Sequence, residues 1–332
     1  MLKSKKLRMY LGFIVSGIFL FLVLRKIRFP ETVTALRLAN YKVIFGASCA
    51  TLFLGVLRAL RWRYLIQNHY LVPSWFFVKA FFVGFLANSA LPARLGEIVR
   101  AKSLGDLSKG IIKTGGTKSL ASIFVERVLD GLILLFIFVA LAFIFSFPNW
   151  MKKVAYISAS ISICLFGLNI TILVHREGVY KILRKVMSRF NEDLREKMLN
   201  MFKWFAEGLG VIKNRRNMIP FLIRSIMIWL LEGLIIYAFI TSLNIDAPII
   251  SGYFVMILVG FGIAIPSAPA YVGVYQFACI KALSIWGISE SISLSFALVM
   301  QAVTFVPMNL IGLGILVFSR FSFRNQLTSH SG

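Results

Sequence analysis

The chain has 332 residues, 58% of them hydrophobic and 15% charged, with 37 Lys and Arg against 13 Asp and Glu. Soluble domains carry about 25% charged residues, so this composition excludes an ordinary soluble protein, and apolar runs long enough to span a bilayer recur along most of the sequence. The formal net charge of +24 reads as the basic bias of membrane-flanking loops rather than a nucleic-acid surface, and no nucleic-acid motif is present.

The N-terminus places Lys3, Lys5, Lys6 and Arg8 before an apolar run, Met9 to Leu24, that ends in Arg25-Lys26. It resembles the first regions of a signal peptide. Without a small-residue cleavage site it is expected to be a retained first transmembrane helix. Further spans are predicted at 43–65, 76–91, 119–147, 154–174, 219–243, 249–265, 271–287 and 292–319. Helix is the element expected, because open strands leave backbone groups unsatisfied in lipid. The segments 76–91, 249–265 and 271–287 are short for a bilayer and are expected to be re-entrant or broken.

After the span 76–91 comes Pro92-Ala93-Arg94-Leu95-Gly96-Glu97-Ile98-Val99-Arg100. On a helix beginning near Arg94, the side chains of Arg94, Glu97 and Arg100 share one side. Two guanidinium forks suit a phosphate group, and Glu97 can fix their direction. A helix N-terminus near Pro92 adds a positive backbone end. The same residues also fit a plain juxtamembrane charge cluster.

The next helix carries Glu126, Arg127 and Asp130 at spacings of three and four. Ionisable groups inside a membrane helix are costly and face a bundle interior or a water cavity. Two roles are open: a lined path in which the acids reach Arg94 or Arg100, or a structural ion pair locking two helices.

The segment 175–218 has eleven Lys and Arg. Its apolar residues, among them Val179, Ile182, Leu183, Val186, Leu194, Met198, Phe202 and Phe205, recur every three or four positions. That is the pattern of an interfacial amphipathic helix or pair of helices. It serves either head-group recruitment and gating or simply as a membrane-lying linker between two halves.

In the span 219–243, Glu232 sits mid-helix among aromatic neighbours and is expected to line a cavity. Lys79, Asn88, Arg224, Gln301 and Asn309 are isolated polar positions expected to make interhelical hydrogen bonds or to snorkel. A second break reads Pro266-Ser267-Ala268-Pro269-Ala270-Tyr271-Val272-Gly273-Val274-Tyr275-Gln276. Its prolines free backbone carbonyls and its small residues allow close approach. Cys49, Cys164 and Cys279 lie in apolar segments as small hydrophobes. His69, His175 and His330 are scattered, so neither a disulfide framework nor a metal site is expected.

The two breaks echo each other. Val83-Gly84-Phe85 precedes Pro92-Ala93 and Gly96; Val259-Gly260-Phe261 precedes Pro269-Ala270 and Gly273. Paired interrupted segments in matching halves point to a transporter-type site. The predicted fold class is thus all-α: a polytopic integral membrane helical bundle with two pseudo-repeated halves. It forms a single transmembrane domain over 1–332, with a first half at 1–174, an amphipathic linker at 175–218, a second half at 219–319 and a tail at 320–332. The positive-inside rule places the linker and the C-terminus in the cytoplasm, and the cell inner membrane is the expected location.

In this order the three clusters resemble the transmembrane region of the lysylphosphatidylglycerol synthase family. The pattern Pro-x-Arg-x-Gly-Glu-x-x-Arg is met by Pro92, Arg94, Gly96, Glu97 and Arg100. Glu-Arg-x-x-Asp is met by Glu126, Arg127 and Asp130. In Pro-Ser-x-Pro-Gly-x-x-Gly-x-x-Glu, Pro266, Ser267, Pro269 and Gly273 fit, while Ala270 replaces a Gly and Gln276 replaces the Glu. The resemblance implies a stand-alone, flippase-type lipid-handling module without the aminoacyltransferase domain of the full-length synthases, and no cofactor. Its implied ligand is an anionic membrane lipid, a modified phospholipid or a polyprenyl-phosphate-linked sugar. Arg94 and Arg100 would hold the phosphate, Glu97, Glu126, Arg127 and Asp130 would set their geometry and line the path, and the Pro269–Gly273 region would form the other wall. Two rival functions stay open: a membrane-embedded head-group transferase, or an accessory subunit presenting lipid to a separate transferase. A homo-oligomer is compatible with either.

Overall fold

The computed structural model describes residues 34, 37–66, 69–91, 95–108, 111, 116–145, 149–188, 191–209, 214–264 and 269–329. The expected span 9–24 lies outside them, as do Pro92, Arg94, Pro266 and Ser267. Among the described residues the regular structure is helical, with no strand.

Helix α1 (Tyr41–Trp62) opens on Asn40, whose side-chain oxygen accepts from the Val43 N–H at 3.4 Å, an N-cap. It is followed by α2 (Ser74–Ala90), α3 (Gly96–Leu107), α4 (Gly116–Ala142) and α5 (Asn149–Val174). The amphipathic pair is α6 (Arg176–Met187) and α7 (Glu192–Leu209). Next come α8 (Arg215–Ser242), α9 (Ile250–Ala264), α10 (Val274–Leu283) and α11 (Glu290–Ser329).

Three stretches, Tyr41–Leu65, Arg215–Ser242 and Glu290–Phe318, are long and apolar enough to cross a membrane. At about 1.5 Å per residue each exceeds a hydrocarbon core of about 30 Å. These match the spans predicted at 43–65, 219–243 and 292–319. Ser74–Ala90 and Ile250–Ile263 are apolar but shorter, and 271–287 resolves into α10 flanked by short 3₁₀ turns. Exposed Phe45, Phe143, Leu310 and Phe318 are the lipid-facing surface such a protein presents. The protein is an all-α integral membrane protein.

The chain divides into two compact units. The first comprises Met1–Leu57, Lys79–Arg100 and Ile228–Gly332; the second comprises Arg58–Val78 and Ala101–Met227.

In the first unit the helix pairs close on glycine. A Cβ on Gly84 would stand 2.6 Å from the Cβ of Arg100, and one on Gly96 would overlap the Gly84 carbonyl oxygen. A Cβ on Gly262 would meet the Val274 side chain at 3.3 Å and the Ala278 Cβ at 3.6 Å. In both hairpins the glycine therefore meets the residues twelve and sixteen positions further on. Gly84 and Gly262 thus share one spacing to the residues that they pack against. Gly252 and Gly233 bring α8 and α9 equally close.

The same unit repairs a proline break. Pro307 lies inside α11 and has no N–H to give to the carbonyl of Val303. The buried Ser48 hydroxyl of α1 donates to that oxygen at 3.0 Å. In lipid no water is at hand to do so.

The second unit packs α4 against α5 and α7, with Phe124 of α4 edge-on to Phe205 of α7 at 5.6 Å. The amphipathic segment is thus folded onto the bundle along one side and is more than a loose connector.

Candidate functional site

Within the first unit, the site expected at the first break is built by α2 and α3. Gly96 starts α3, with Glu97 in its first turn as a good match for the positive helix end. Arg100, one turn on, is 2% exposed and lies with its guanidinium 5.2 Å from the centre of the Phe81 ring on α2. Packing of its Cβ against Gly84 is what lets an arginine enter this apolar hairpin. Glu97 and Arg100 therefore share a helix in the expected spacing.

The second break is a left-handed turn. Ala270 and Tyr271 have φ of 55° and 59°, and Gly273 has φ of 88°. The first two are conformations that L side chains adopt at a cost of about 1–2 kcal/mol each. Two glutamines hold the turn. The Gly273 N–H donates to Gln276 Oε1 at 2.8 Å. Gln276 Nε2 donates to Gln301 Oε1, and Gln301 Nε2 donates to the Ala270 carbonyl at 2.7 Å. Each amide gives once and receives once, so the chain of bonds has one direction. Gln276, where the resemblance expects Glu, is thus a pinning residue for Pro269–Gly273. Gln301, expected from the sequence to make an interhelical hydrogen bond or to snorkel, makes such a bond with it.

Phe305 of α11 joins the two breaks. Phe85 of α2 meets its ring at 5.3 Å, Tyr275 of α10 at 6.1 Å and Tyr271 at 6.3 Å. The half-buried Glu232 of α8 lies within electrostatic range of Tyr275. Aromatic side chains of both hairpins therefore meet in one layer inside this unit.

The charge cluster on α4 belongs to the second unit, and the cation that both acids bind is Arg61 of α1. Arg61 Nη1 and Nη2 grip Asp130 at 2.6 and 2.9 Å, Nη2 reaches Glu126 Oε1 at 2.7 Å, and Nη1 donates to Ser225 of α8 at 3.0 Å. The Phe221 ring covers the guanidinium at 4.9 Å. Arg61 and Glu126 are each 1% exposed and Asp130 is 5%. Arg127 stays largely in the open, with Nη1 3.9 Å from Asp130 Oδ2. The four groups are formally neutral together. Next to them Trp62 Nε1 donates to Ser122 at 2.9 Å, so Ser122, Glu126 and Asp130 form one polar stripe on α4. This geometry is that of an ion pair locking helices.

Arg61 was passed over because it lies near the end of an apolar span, between Arg58 and Arg63, where arginines ordinarily snorkel. The missing signal was stoichiometric: two acids at i and i+4 inside an apolar helix require a cation from another one.

The family model for the lysylphosphatidylglycerol synthase transmembrane region matches residues 9–312. A UPF0104 membrane protein of Methanocaldococcus jannaschii is 29% identical over 230 residues, covering 68% of this chain and 90% of its own. A UPF0104 membrane protein of Methanothermobacter thermautotrophicus is 23% identical over 259 residues, covering 74% of this chain and 75% of its own. No solved structure matches. The match extends over both helix breaks and the α4 cluster, and the chain belongs to the lysylphosphatidylglycerol synthase transmembrane-region family, whose members are membrane proteins linked to lipid metabolism.

Proposed function

We propose that this protein binds an anionic lipid and moves it between leaflets. The observation that supports the reading most is the buried Arg100 at the start of α3, set against Phe81 and Gly84 beside a helix N-terminus. A guanidinium in an apolar hairpin is a fitting receptor for a phosphate that must enter the membrane. In this reading Arg94 joins Arg100 on the phosphate, and Glu97 sets their direction. The glutamine-pinned turn at Pro269–Gly273, with Gln276 and Glu232, forms the other wall of the path. The Arg61–Glu126–Asp130 lock keeps α1 and α4 rigid and takes no lipid.

Lipids extracted from the purified protein test the binding half of the proposal. Mass spectrometry is expected to show anionic lipids enriched over the bulk membrane, and the enrichment lost in Arg94→Ala/Glu97→Ala. A bound-lipid profile equal to the bulk for the wild-type protein overturns it.

A further inference from the structure

The amphipathic pair α6–α7 has two apolar sides, and one is taken up by the contact of the two helices with each other and of α7 with α4. Its inner side is engaged: Tyr180 of α6 meets Phe202 of α7 at 6.4 Å, Lys203 lies 5.1 Å from the Tyr180 ring, and Arg176 Nη2 donates to the Lys203 carbonyl at 3.3 Å. A second apolar row points away. Ile182 is 66% and Val186 is 56% exposed, four residues apart on α6; Leu194 and Met198, also four apart, are exposed on α7. One helical step from the α6 row, Lys181 and Lys185 form an exposed basic row, with exposed Arg184 beyond it.

We infer that this outer face is a contact surface for the anionic head-group layer of the membrane that holds the protein. Ile182, Val186, Leu194 and Met198 enter the head-group boundary, while Lys181 and Lys185 meet lipid phosphates. Three observations select lipid over another occupant. Helix α6 follows α5 after one residue, His175, and α5 is an apolar helix of 26 residues, so α6 starts where a membrane-length helix ends. An apolar row edged by lysines is the arrangement of interfacial helices. The basic excess on α6, with Arg176, Lys181, Arg184 and Lys185 against Glu177, matches an anionic leaflet. The inference does not depend on translocation.

The test uses the full chain in vesicles of phosphatidylcholine alone or with phosphatidylglycerol. Cys49, Cys164 and Cys279 are replaced by alanine, and a bimane probe is placed at Ile182→Cys or at Glu177→Cys on the opposite face. Lipids brominated in the acyl chain are expected to quench the probe at 182 and spare the one at 177, more strongly with phosphatidylglycerol present. Adding Lys181→Gln/Lys185→Gln is expected to lower the 182 quenching to its level in phosphatidylcholine, since each lysine near an anionic surface contributes about a fivefold preference. Thermal unfolding matching the wild-type chain controls for folding. Absence of quenching at 182, or equal quenching at 177, overturns the inference and assigns the face to a protein partner. Quenching that ignores both phosphatidylglycerol and the lysines overturns its anionic selectivity.

Discussion

Replacing Arg61 by alanine leaves Glu126 and Asp130 buried without the cation that holds them. Removing one partner of a buried ion pair costs about 3–5 kcal/mol, whereas the exposed Arg127, 3.9 Å from Asp130, contributes less than about 1 kcal/mol. Thermal unfolding in one detergent should therefore show Arg61→Ala strongly destabilised and Arg127→Ala nearly native; equal losses would refute the lock. Ala270 offers the reverse case. Its φ of 55° favours glycine, so Ala270→Gly is expected to stabilise the protein by up to about 1 kcal/mol. A fall in melting temperature would show that the left-handed turn carries no strain. Both residues also mark what could be read in advance. The acids on α4 announced themselves by their cost in lipid, but their partner is 65 and 69 positions away, and spacing along a chain cannot choose among several arginines. The Gln276–Gln301 bond was hidden for the same reason.

At the scale of elements, the two hairpins differ in how tightly they close. A Cβ on Gly96 would run into backbone, the Gly84 carbonyl, which cannot turn aside; a Cβ on Gly262 meets first the end of a valine side chain at 3.3 Å. Gly96→Ala is expected to lower both stability and any lipid binding, and Gly262→Ala to be tolerated with less than about 1 kcal/mol lost. The comparison is read from melting temperature and bound-lipid content of the two variants. Similar losses would mean that the two hairpins close equally tightly. Helix positions were legible because apolar run length and Pro or Gly punctuation are local properties. The tight approach of Gly96 to the Gly84 carbonyl was not, because it depends on which turn of each helix faces the other.

For the whole molecule, composition alone excluded a soluble fold, and loop chemistry marked α6–α7 as amphipathic. The packing of α7 onto α4 was beyond reach, since a single apolar period cannot say whether a face meets lipid or a neighbouring helix. Family membership links the chain to lipid metabolism. The aromatic layer around Phe305, flanked by both helix breaks, supports reading the first unit as the place where lipid passes. The measurement that tests this most directly is leaflet exchange of fluorescent lipids in liposomes containing the purified protein, followed by an impermeant quencher. The account predicts faster exchange of anionic than of zwitterionic lipid, with the difference lost in Arg94→Ala/Glu97→Ala. No exchange of any lipid by folded protein would contradict it.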